Sequence, residues 1–156
     1  RDTGYAQLIE EIDKTEGSKP IAVIFNLGVN DLGNAGNYVS YMTNIASTLK
    51  SKNCKLFYMS VNPINSTMIT KAGRGARTEA QVREFNSKIR SGLSLDYKYI
   101  DMYSVLMKKG YGTNASYNGT DADSDDGLHY TTKTFKRIYY YCITYLNTGS
   151  INASYY

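Results

Sequence analysis

The chain has no tryptophan, two prolines, two cysteines and one histidine in 156 residues. Cys54 and Cys142 belong to neither a Cys-x-x-Cys pair nor a Cys/His cluster with metal spacing, so no metal site is expected from them. They read as two buried thiols, with a disulfide left open as the alternative while the compartment is unknown. Long apolar runs are also lacking: the longest, around Ile21 to Phe25, is far too short to cross a bilayer, so no membrane partner is expected. There is no dense basic tract either. The 18 lysines and arginines, among them Lys50, Lys52, Lys55, Arg74, Arg77, Lys108, Lys109, Lys136 and Arg137, are scattered, and the net charge is only +4. A nucleic-acid partner needs a stripe of phosphate contacts, so none is expected. Internal repeats and heptads are absent. The chain opens at Arg1-Asp2-Thr3 without an initiator methionine, so the natural N-terminus is expected upstream and targeting signals cannot be read.

What is present fits one soluble globular domain over 1–156, with 42% hydrophobic and 21% charged residues to build a single core. Tyr5, Leu8, Ile9 and Ile12 recur at helical spacing, with Gly17 and Pro20 as a stop, which predicts a helix over 4–16. Ile21 to Leu27 is a continuous β-branched run between Pro20 and Gly28, the pattern of a buried parallel strand. Tyr38, Met42, Ile45, Ala46 and Leu49 predict a second helix, and Leu56 to Val61 a second strand ending before Asn62-Pro63. Thr78 and Gln81 form a capping box for a helix lined by Val82, Phe85 and Ile89 that closes at Gly92. Tyr97 to Ile100 reads as a short third strand and Met102 to Lys109 as a brief helix. A Gly-, Asn-, Ser- and Asp-rich loop covers Gly110 to Asp126. A last helix then carries Phe135, Ile138, Tyr139, Cys142 and Leu146 on one face. Strands alternating with helices predict an α/β sandwich on a parallel sheet, though three strands are few for one.

Ligands of open α/β sheets bind at the carboxyl ends of the strands, which directs attention to Gly28-Val29-Asn30-Asp31. Gly28 permits a tight exit from the strand, and the Asn30 amide can aim an N–H at a carbonyl oxygen on which charge develops during acyl transfer. On composition alone, Asn30 and Asp31 read first as turn formers and a helix cap. The second feature is Asp126-Gly127-Leu128-His129, before the last helix. A histidine acting as general base needs a carboxylate to fix its tautomer, and an aspartate three residues earlier on a tight turn can reach its ring. A lone histidine near a helix start is otherwise a plain surface residue. Gly127, lacking Cβ, helps such a turn close.

Gly28-x-Asn30-Asp31 after an apolar strand, with Asp126-x-x-His129 before the last helix, resembles the third and fifth sequence blocks of the SGNH (GDSL-like) hydrolases. Gly4, ahead of the first helix, falls where that family has its second block, and Val61-Asn62-Pro63 is similar to bacterial, clostridial-type members. The resemblance implies a flavodoxin-like three-layer α/β fold and a Ser-His-Asp esterase, with His129 as base, Asp126 orienting it, and Asn30 and Gly4 as oxyanion-hole donors. Gly28, Asp31 and Tyr5 would contact substrate, a small ester or an acylated (acetylated) carbohydrate. No cofactor is implied, and a secreted or cell-surface location follows only by analogy.

The Gly-Asp-Ser block of the family is not in these residues. Ser124 lies on the acidic loop, and Ser60, between Met59 and Val61 within a strand, reads as structural. The nucleophile and two strands are therefore expected from an N-terminal segment or a second chain that completes the sheet, since a monomer lacking an interior strand would expose a pairing edge. Asp121, Asp123, Asp125 and Asp126 resemble a calcium loop, but the spacing is off by one and the later glutamate is missing. Tyr5, Tyr111, Tyr117 and Tyr130, four of sixteen tyrosines, are placed near the expected site, where rings can stack on sugar faces. The sequons at Asn65, Asn114, Asn118 and Asn152 matter only in a eukaryotic secretory pathway. The competing readings are a non-catalytic SGNH-like binding or interaction module and, well below it, a nucleotide or phosphate binder, which would need a Gly-rich phosphate loop that the chain lacks.

Overall fold

The computed structural model describes residues 2–15, 17–111 and 126–151. Three parallel strands, β1 (Ile21–Phe25), β2 (Cys54–Met59) and β3 (Tyr97–Ile100), form an open sheet in the order β1-β2-β3. Their register pairs Ile21 with Cys54, Phe25 with Tyr58, Leu56 with Tyr97 and Met59 with Ile100. Among the described residues six helices accompany them: α1 (Asp2–Lys14), α2 (Ala35–Ser51), α3 (Ser66–Lys71), α4 (Glu79–Gly92), α5 (Met102–Lys108) and α6 (Thr132–Thr148). No helix among the described residues is long and apolar enough to cross a membrane.

Helices cover both faces of the sheet. Val23, Leu56 and Tyr58 pack with Met42 and Leu49 of α2, Val82, Phe85 and Ile89 of α4, and half-buried Leu8 and Ile9 of α1. Phe57 and Met59 point the other way, onto Met102 and Leu106 of α5 and Ile138, Tyr141 and Cys142 of α6. The central strand thus needs apolar residues at consecutive positions, which its sequence supplies. β1 differs: only Val23 is buried and Ala22 is exposed, and among the described residues no strand pairs with the other edge of β1.

The strand and helix order matches the sequence pattern, with small shifts at the ends. The strand expected over Ile21 to Leu27 stops at Phe25, and the one expected over Leu56 to Val61 spans Cys54–Met59. Beyond Met59, Ser60 N–H still donates to Ile100 O at 3.0 Å, and Val61 then keeps strand-like pairing with a side chain. Its N–H donates to Asn86 Oδ1 at 2.8 Å and its carbonyl accepts from Asn86 Nδ2 at 2.9 Å. The capping box of α4 forms as expected, with Gln81 N–H on Thr78 Oγ1 and Thr78 N–H on Gln81 Oε1. The short helix α3 has no counterpart in the sequence reading; Asn65 caps it by accepting from Met68 N–H at 3.1 Å. In α6 the buried face is Thr134, Ile138, Tyr141 and Cys142, while Phe135 and Tyr139, expected inward, are 53% and 61% exposed. Cys54 and Cys142 are free and buried, so the thiol reading holds. Ser60 is fully buried and its Oγ accepts from Tyr103 N–H at 2.7 Å, which is a structural role.

Candidate active site at the carboxyl edge of the sheet

The turn Asp126–His129 is built by one carboxylate. Asp126 Oδ1 accepts from the backbone N–H groups of Leu128 at 2.9 Å and His129 at 2.8 Å, while Oδ2 lies 2.8 Å from His129 Nδ1. Arg74 Nε approaches the same Oδ2 at 3.2 Å. Burial opposes ionisation of Asp126, but the hydrogen bonds from His129 backbone and ring and from Leu128 outweigh it, so the carboxyl is held well below the usual carboxylate range. An acceptor-only carboxylate on Nδ1 places the proton there and leaves Nε2 with its lone pair, the tautomer a general base requires. The aspartate side chain is 12% exposed and the imidazole 64%, so the anchor is sheltered and the ring stands in the open.

Gly127 makes this turn possible in two ways. Its φ is +80°, and an added Cβ would lie 2.5 Å from Asn65 O and 2.8 Å from Ile69 N. The turn is pressed against the start of α3, and Asn65 N–H donates to Gly127 O at 2.8 Å. A side chain would meet backbone that cannot easily yield.

The Gly28–Asp31 turn is keyed similarly. Gly28 has φ +117°, and the Phe85 ring of α4 fills the space a Cβ would need, with Cζ at 2.2 Å. Asp31 N–H donates to Gly28 O, and Asp31 Oδ2 accepts from the Tyr38 hydroxyl at 2.8 Å. The cap of α2 falls to Asn34 rather than Asp31, and its side chain makes no capping bond. Asn30 is exposed, and its Oδ1 accepts from Arg77 Nη2 at 3.2 Å.

Between the two turns lies a hollow of about 160 Å³ lined by Leu27, Val29, Asn62, Ile64 and His129, with exposed Phe135 on the lining as well. No serine, threonine or cysteine among the described residues lines it. Its base is pinned from both strands: Asn26 Nδ2 donates to Ser60 O at 2.9 Å, and the Tyr58 hydroxyl donates to Leu27 O at 2.8 Å. Asn62 Oδ1 is buried there without a hydrogen-bond partner among the described residues, a costly state for an amide oxygen.

The expected site residues therefore divide. Asp126 and His129 meet in one turn, and Val29, beside Asn30, lines both the His129 hollow and a second one of about 230 Å³ shared by Asn30, Arg74 and Arg77. Gly4 lies in the first turn of α1, and with Tyr5 and Asp31 it lines a third hollow of about 460 Å³, walled by Phe25, Tyr38 and Tyr41. Leu27 is common to that hollow and the one at His129. Tyr111 and Tyr130 are buried, Tyr130 donating to Pro63 O, so they pack beneath the site. Tyr117, Ser124, Asp121, Asp123 and Asp125 lie outside the described residues, and among those described no cluster of three metal-ligating groups occurs. Sequence reasoning missed Arg74, Arg77 and Asn26. Only Arg77 carried a signal, its place directly before the Thr78 capping box.

Compared with protein-family models, curated protein sequences and solved structures, the chain matches none of them.

Proposed function

We propose that this chain is the C-terminal part of an SGNH-type serine ester hydrolase with a flavodoxin-like three-layer fold. The observation that carries the reading is the Asp126–His129 pair: a sheltered carboxylate 2.8 Å from Nδ1 of an exposed imidazole, at the carboxyl edge of a parallel sheet. In this reading a serine on a strand added at the open edge of β1 attacks the acyl carbonyl. His129 Nε2 takes the serine proton and returns it to the leaving alcohol, and Asp126 holds the ring and balances its transient charge. The Asn30 amide donates to the developing oxyanion, a contribution of roughly 3 kcal/mol for such donors. Gly4, in the first turn of α1, would supply a second donor, with Gly28, Asp31 and Tyr5 along the substrate path. The small hollow at His129 suits a short acyl group, and the tyrosine-walled hollow reached past Leu27 suits a sugar ring, which favours an acetylated carbohydrate. A secreted or cell-surface setting is part of the same proposal.

The test is p-nitrophenyl acetate hydrolysis by the full polypeptide that contains this chain. Turnover abolished by His129→Ala supports the reading, and turnover unchanged by it removes His129 as the base. A second reading, a non-catalytic module of the same architecture, draws on the hollow at His129, where the described residues offer no nucleophile. Absence of any turnover in the full polypeptide, with tight binding of an acetylated sugar, would favour it.

A further inference from the structure

We propose that Arg77 is a positioning residue that fixes which end of the Asn30 amide faces the site. An asparagine side chain can rotate by half a turn at little cost, exchanging oxygen for nitrogen, and only one of the two states can donate a hydrogen bond. The guanidinium decides between them because it can only donate. One side of its fork grips two neighbouring oxygens, Nε donating to Val29 O at 3.0 Å and Nη2 to Asn30 Oδ1 at 3.2 Å. The remaining nitrogen, Nη1, donates to Arg74 O at 2.5 Å. With its oxygen committed to Arg77, Asn30 turns its two N–H donors away from the guanidinium, and Nδ2 has no partner among the described residues. The opposite state would set N–H against N–H.

Arg77 can hold this position because it is itself held. It directly precedes Thr78, the N-cap of α4, whose capping box fixes the chain direction there. The same α4 seats Phe85 over Gly28. One helix therefore aligns both the bend of the turn and the polarity of its amide. A lysine ammonium has three donors on a flexible stem but lacks the planar fork that meets Val29 O and Asn30 Oδ1 side by side.

The proposal rests on the reading of Asn30 as an oxyanion donor for its purpose, but its test does not depend on catalysis. In uniformly ¹⁵N-labelled full chain, the Asn30 side-chain amide is assigned by its disappearance in Asn30→Asp. Its order parameter is expected near the rigid value of about 0.85, falling below about 0.6 in Arg77→Met and lying between in Arg77→Lys. The backbone N–H groups of Asn30 and Asp31 should keep their order in all three. An Asn30 amide that stays ordered in Arg77→Met overturns the proposal. So does loss of order in the backbone of the turn together with the side chain, which would make Arg77 a plain loop staple. In the full polypeptide, Arg77→Met should lower kcat about tenfold at nearly constant KM, less than Asn30→Ala. Ordering of the amide without any ester turnover would sink the hydrolase reading and leave the positioning role standing; turnover with a freely rotating amide would do the reverse.

Discussion

The two turns of the candidate site are fixed by different means. In Asp126–His129 the fixing group is internal: one carboxylate binds two backbone N–H groups and the imidazole within four residues. In Gly28–Asp31 the fixing groups come from outside the turn: Tyr38 of α2, seven residues beyond Asp31, and Phe85 and Arg77 from distant α4 and its approach. Both turns use a glycine at positive φ with a neighbour pressed into the place of its side chain. The first turn also leans on α3 and on Arg74, but its own carboxylate satisfies its polar groups within four residues, whereas the second inherits every shift of the helix that holds it.

The largest test of this contrast is Gly127→Ala. Its Cβ would meet the backbone of Asn65 and Ile69 at a left-handed φ, and a loss of about 3 kcal/mol is expected in urea unfolding. Gly28→Ala should also cost at least about 2 kcal/mol, because its φ of +117° and the fully buried Phe85 ring both oppose a Cβ. A loss below about 1 kcal/mol in either variant would mean that its turn tolerates a Cβ. Asp126→Ala comes next, at about 2 kcal/mol, since two turn N–H groups lose their acceptor. Intact His129 and Leu128 chemical shifts in that variant would mean the turn does not depend on its own carboxylate.

Acid titration gives a further prediction. The native carboxyl of Asp126 is depressed, so the unfolded chain binds the proton first as pH falls. Its contribution should be complete above about pH 4 and fade below, towards the depressed native value. Asp126→Asn should flatten that acid limb. The smallest effect is expected for His129→Ala: with the ring 64% exposed, stability should change by about 0.5 kcal/mol or less.

The same contrast explains what could be read from the residues alone. Asp126, Gly127 and His129 lie within four residues, so their relation is visible as spacing, and the Thr78–Gln81 capping box is visible for the same reason. The parallel strands follow from apolar runs, with β3 placed at Tyr97 to Ile100 as observed. Arg77 lies 47 residues from Asn30 in sequence, and no local pattern announces a guanidinium folded back onto another loop. Helix α3 escaped notice because six residues with a single buried side chain, Ile69, show no periodicity. Phe135 and Tyr139 misled because they lie on the exposed side of α6 despite their apolar rings.

Asn65 carries a consequence for biosynthesis. It stands in an Asn-Ser-Thr sequon, yet it is 6% exposed, caps α3 with its side chain and donates its N–H to Gly127. A glycan added there while the chain is still being made would occupy space that the folded protein gives to the histidine turn. A secretory host that modifies sequons would therefore separate the product into unmodified chains that close this turn and glycosylated ones that cannot.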